Sequence, residues 1–152
     1  MSAVLRVYGK HFQVDDYLAD CTLPICAVKR CGAPVFPKSQ PHGRRHERSG
    51  VHITASDAKF DAFETQVTDS TAFLGTHLVE LRRLCGFPGV ESASLDFGIE
   101  RRAVPVQCHS LPPKLLLAAG SLGIEIMMSY YTVDESLREP SSHGEEKQSR
   151  PD

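Results

Sequence analysis

The sequence predicts an α+β domain: an antiparallel or mixed five-stranded sheet with helices packed on one face, arranged as a ferredoxin-like βαββαβ core with an added helix and strand. Three observations predict it. Phe60, Phe63, Val67, Thr71, Leu74, Leu78, Leu81 and Cys85 recur at steps of three or four, the spacing that lines side chains along one helical stripe. After the turn Gly86-Phe87-Pro88-Gly89, the residues Ala93, Leu95, Phe97 and Ile99 alternate with Ser92, Ser94, Asp96 and Gly98, the period of a half-buried strand. Several other segments alternate as cleanly, which argues for a sheet covered on one side only.

Val4 to Tyr8 reads as the first strand, with Leu5 and Val7 on one face and Val4, Arg6 and Tyr8 on the other. A short helix follows, its first turn marked by Asp15 and Asp16 and its inner side by Tyr17 and Leu18. Ile25 to Cys31 is the second strand, with Cys26, Val28 and Arg30 set against Ile25, Ala27, Lys29 and Cys31. From Gly32 to Ser49 prolines, glycines and basic residues break every pattern, so the segment is expected to be a long exposed loop. Gly50 to Ala55 resumes strand alternation, and Ser56 or Asp57 is placed to cap the long helix. That helix, if continuous, would span about 35 to 40 Å at 1.5 Å per residue. The run Thr68 to Thr71 and Gly75 are points where it would kink or divide.

Beyond Ile99, the stretch Glu100 to Ser110 admits either an edge strand or a loop, Pro105 excluding a central strand. Ser110, Pro112 and Pro113 announce a helix with Leu115, Leu116, Ala119 and Leu122 inward, ended by Gly120 or Gly123. A last strand has Ile124, Ile126, Met128 and Tyr130 on its core face and Glu125, Met127, Ser129 and Tyr131 opposite. The domain is expected to cover residues 1–133, with 134–152 a disordered polar tail poor in apolar residues.

The chain of 152 residues is long enough to bury a core without metal or disulfide, and its apolar and charged shares, 41% and 24%, are those of an ordinary globular protein. A formal charge of −2, with the acidic tail removed about +1, provides no global field for nucleic acid or anionic lipid. The longest apolar run, Leu115 to Ala119, is too short for a bilayer, and the first residues enter a strand without a basic start and apolar stretch, so a cytoplasmic protein is expected. Five cysteines, an odd count with no close pair, are expected to be reduced thiols.

The combination Ala72-Phe73-Leu74, Glu80-Leu81, Phe87-Pro88-Gly89-Val90-Glu91, Leu95-Asp96-Phe97-Gly98, Leu111-Pro112-Pro113 and Gly123-Ile124-Glu125-Ile126 to Ser129-Tyr130-Tyr131 resembles a family of small bacterial cytoplasmic proteins of unknown function. Some relatives of that kind have been suggested, on genomic grounds, to be immunity proteins that neutralise a toxin. The resemblance, from about Phe60 to Tyr131, implies fold and bacterial origin and brings no active site with it.

Candidate sites are few. Cys21, Cys26 and Cys31, with His11, His42, His46 and His52, carry zinc-type donors, but five-residue steps do not make a close-pair knuckle and the thiols read as ordinary. Arg44, Arg45 and Arg48 form the most basic stretch, suited to an anion or acidic protein patch and equally to a solvated loop. Met127 and Tyr131 offer a partner surface if the outer sheet face is open; otherwise the long loop or the Glu100 to Ser110 segment folds over them. His52, Asp96 and His109 would line a pocket if they converged, although Asp96 is as readily engaged by an arginine or backbone amides. No nucleophile elbow, phosphate loop, dinucleotide fingerprint or zincin pair is present, so no catalytic residue, metal or cofactor is expected. Two readings result. The first is a protein-binding module, a homodimer or an immunity-type partner of a toxin. The second is a small enzyme or ligand-binding protein with its site between the 32–49 loop and the strand ends.

Overall fold

The computed structural model describes residues 2–132, and the expected tail lies outside them. The elements run β1 (Ala3–Gly9), α1 (Val14–Leu18), β2 (Ile25–Lys29), β3 (Pro34–Phe36), β4 (Gln40–Arg45), β5 (Ser49–Ser56), α2 (Phe63–Thr76), α3 (Leu78–Cys85), β6 (Ser92–Glu100), α4 (Pro113–Ser121) and β7 (Glu125–Tyr131). The fold is α+β, with one mixed five-stranded sheet in the order β2-β5-β1-β6-β7. β1 pairs antiparallel with both β5 and β6, β2 pairs antiparallel with β5, and β7 runs parallel to β6.

Alternation decides the two faces. Leu5, Val7, Val51, Ile53, Leu95, Phe97 and Ile99 are fully or almost fully buried on the inner face. They form one apolar cluster with Tyr17, Phe63, Val67, Leu74, Leu81, Leu84, Leu115 and Ala119 of the helices. The residues between them, Arg6, Tyr8, His52, Ser94 and Asp96, point to the outer face, over which no described helix lies. The Phe63 and Phe97 rings, 5.7 Å apart and edge to face, join α2 to β6.

The structure alters several expectations. The segment expected to be an irregular loop contains a two-stranded hairpin, β3–β4, closed by mutual hydrogen bonds between Gly32 or Ala33 and His46. Prolines at both strands weakened its alternation without removing every pairing group, and Pro34 starts an edge, where no donor is required. In β2 a register irregularity between Ile25 and Ala27 puts both Ile25 and Val28 toward the core. Ala27, opposite His52, and Lys29 then face outward, so strict alternation misassigned this strand.

The long helix is divided, and the division falls at His77 (φ −104°, ψ 20°), not at the threonines or at Gly75. Thr68 and Thr71 remain helical by donating to the carbonyls of Glu64 and Val67, at 2.9 and 2.7 Å. The break lets α3 bury Leu81 and Leu84, while Leu78 and Cys85 stay half-buried. Phe60 lies outside the helix, and α2 begins without a side-chain cap. Ser56 instead accepts from the Ala58 amide and donates to Asp69. Residues 101–110 form no strand, and Leu116, expected inward on α4, is exposed. Gly123, at φ +67°, ends that helix one residue after its cap, as a left-handed glycine does.

Candidate functional site

The outer face gathers its cations where β1, β2 and β5 lie side by side. Register places Arg6 opposite His52 and Tyr8 opposite Gly50, and β2 brings Lys29 alongside. Gly50 is required here because a Cβ would stand 2.3 Å from the Tyr8 ring. Lys29 Nζ donates to Tyr8 Oη at 2.9 Å, and the Tyr8 hydroxyl in turn contacts His52 Nε2. Burial, with Lys29 and Arg6 nearby, holds the His52 pKa down at about 4. The ring is therefore neutral at pH 7, and its Nε2 shares one hydrogen bond with the phenol, the imidazole tautomer setting which of the two donates. The hydrogen-bond chain joins ammonium, phenol and imidazole. Lys29 and the Arg48 guanidinium both lie 5.3 Å from the Tyr8 ring centroid, within cation–π range.

Two shallow hollows share Tyr8, Lys29 and Arg48. One, of about 350 Å³, lies under the hairpin and is lined also by Phe36, Arg44, Arg45 and His46. The other, of about 480 Å³, opens across the sheet toward Arg6, Ser94, Glu125 and Met127. Arg45 is anchored to the Gly32 carbonyl at 2.6 Å, while Arg44 and Arg48 are exposed. Arg6 is neutralised by Asp96, which is 3% exposed and also accepts from Ser129 at 2.7 Å. The hollows thus carry Lys29, Arg44, Arg45 and Arg48 against Glu47 and Glu125.

The candidates from sequence fall into separate places. Arg44, Arg45, Arg48, His52 and Met127 line this cationic region. Asp96 sits next to it with its carboxylate engaged by Arg6 and Ser129. Tyr131 stacks on Phe60 with centroids 5.2 Å apart, so its cover comes from the segment before α2 and not from the hairpin. His109 lies on the helix side, 4.5 Å from the Phe63 ring, with Gln107 bonded to it. His52 and His109 are therefore on opposite faces of the sheet and share no hollow. Tyr8 and Lys29, the centre of the cluster, were not singled out from sequence. Alternation put Tyr8 on the polar face, and Lys29 faces the same way as the residue after the inward Val28, but only the strand order β2-β5-β1 brings the two together.

Among the described residues, no three Cys, His, Asp or Glu side chains gather closely enough to hold a metal, and all five cysteines are free. Burial raises the Cys85 pKa to about 11, which makes it a poor nucleophile. No described helix is long and apolar enough to cross a membrane. No family model, curated protein or solved structure matches the chain.

His52 gives a pH prediction. The unfolded chain takes up this proton near 6.5 and the folded chain near 4. Between those values the unfolded state binds more protons, so stability is complete above 6.5 and declines as pH falls toward 4. Because the ring keeps some solvent access, the expected loss between neutral pH and pH 4 is about 1–2 kcal/mol more than in a His52→Gln variant. Urea unfolding of both proteins at the two pH values measures it. Equal losses in the two would mean that His52 is not held neutral.

Proposed function

We propose that the protein is a protein-binding module that takes an acidic protein surface on the open outer face of its sheet and the adjoining β3–β4 hairpin. One observation carries the reading: Lys29, Arg44, Arg45 and Arg48 line one hollow with Tyr8 on a face that no described helix covers, in a chain whose overall charge is nearly neutral. Local concentration of one sign steers a partner of the other sign even without a large net charge. Arginine forks and a tyrosine platform are side chains that interfaces favour. The hollows are about half open to solvent and do not enclose a ligand, which suits a protein surface. The motif resemblance to a small bacterial family with suggested immunity proteins fits the same role, with a toxin as the partner. The enzyme or ligand-binder reading has less support, since His52 and His109 do not converge and the Asp96 carboxylate is engaged.

A poly-glutamate peptide serves as the test probe, with inorganic phosphate and a short DNA duplex as comparisons, followed by amide chemical shifts. The expected result is peptide-dependent shifts confined to Tyr8, Lys29, residues 44–48 and His52. An Arg44→Glu, Arg48→Glu double variant is expected to weaken peptide binding about tenfold or more, with its fold intact because both side chains are exposed. Shifts elsewhere, an unaffected double variant, or tighter binding of duplex or phosphate to these residues would overturn the reading.

A further inference from the structure

The two edges of the five-stranded sheet are treated differently. The β2 edge is short, irregular between Ile25 and Ala27, preceded by Pro24 and ended by Lys29. Irregularity, proline and lysine are the devices by which edge strands avoid pairing with other chains. The β7 edge has none of them. Its seven residues pair with β6 in unbroken register, contain no proline, lysine or arginine, and carry Glu125 as their only charge. Met127, Tyr130 and Tyr131 remain 39–48% exposed along it. No described strand pairs with its other side.

We infer that β7 pairs antiparallel with β7 of a second copy of this chain, making one continuous sheet across a two-fold axis. Backbone amides and carbonyls that no described strand pairs, at regular spacing, call for another strand, not for a flat apolar surface. A second copy fits for two reasons. A two-fold contact closes on itself, whereas pairing β7 with β2 of another copy would leave open ends and meet a guarded edge. In addition, an axis near Met128 places Met127 opposite Ser129, Ile126 opposite Tyr130 and Glu125 opposite Tyr131 of the other copy. The two Glu125 carboxylates then stand at opposite ends of the seam, about 20 Å apart at ~3.4 Å per residue, and each faces a tyrosine. No like charges meet. The contact is small beside a standard interface, so a reversible dimer with concentration-dependent mass is expected. The cationic hollows remain open on the outer face, so dimerisation does not depend on the proposed acidic partner.

Sedimentation of the full chain over a concentration series, together with amide hydrogen exchange at both ends of the series, tests the inference. The expected result is a shift from monomer to dimer mass, with β7 amides gaining about tenfold or more in protection while β2 amides do not change. Tyr130→Lys, at an exposed edge position, is expected to stay monomeric over the same range with an unchanged circular dichroism spectrum. A Met127→Lys variant gives the same readout from the other face. Monomer throughout, a dimer protected at β2 and not at β7, or dimerisation of both variants at wild-type strength would overturn it.

Discussion

Replacing Phe97 with alanine is expected to remove about 3–5 kcal/mol of stability, the usual cost of emptying an aromatic-sized space in a close-packed interior. Phe97 is fully buried in β6, and its ring meets Phe63 at the start of α2. Its neighbours leave little room to collapse into the gap. β6 is held by β1 on one side and β7 on the other, with Leu95 and Ile99 on the same face. Set against a typical total of about 5–15 kcal/mol, the loss would shift the urea midpoint sharply or leave the chain partly unfolded. Val79, 82% exposed on α3, provides the control: Val79→Ala is expected to change stability by less than about 0.5 kcal/mol. Similar losses for the two variants would mean that β6 and the helices are not packed as described.

Gly89→Ala is expected to cost about 2–4 kcal/mol, from two sources that act together. Gly89 has φ +84°, and a Cβ there would stand 2.3 Å from the His11 carbonyl oxygen. That neighbour is backbone and cannot rotate away. The turn also carries Phe87, whose ring packs edge to face on Phe12 and Tyr17 at 5.8 and 5.4 Å, so displacing the turn disturbs an aromatic cluster of the core. Gly75→Ala supplies the opposite sign. It lies within α2 with nothing within 4 Å of the added carbon, so alanine is expected to stabilise by about 0.5–1 kcal/mol. Urea unfolding of both variants checks the pair, and a neutral Gly89→Ala would refute the close approach.

The residues that make the inner face were legible because period is local. Alternation alone groups Leu5 with Val7, Val51 with Ile53 and Leu95 with Phe97 on one face of each strand, and in the structure each of these faces is the buried one. Features that depend on one residue's backbone angle were less legible. The helix breaks at His77 although its sequence signal is weaker than that of Thr68 to Thr71, and α3 beyond the break buries Leu81 and Leu84. The irregularity in β2 leaves no mark in the residue types around Cys26, yet it reverses the facing of Ile25. The hairpin was masked by its own prolines and glycines.

The candidate site shows the same division. The basic stretch at Arg44, Arg45 and Arg48 was visible as composition, but not what it lies beside. Tyr8 and Lys29 come from two strands separated in the sheet by β5, and only the order β2-β5-β1 brings both to His52.

By itself the sequence determined the α+β class and the apolar stripes of β1, β5, β6, α2 and α3, since these follow from side-chain spacing at 2 and 3.6 residues along one segment, whereas Leu116 and Tyr130, expected inward on α4 and β7, are exposed. The tertiary structure alone decided strand order, the place of the helix break, which cations share a hollow and which strands lie at the edges of the described sheet. Those depend on contacts between segments far apart in the chain, and such contacts leave no period within any one of them.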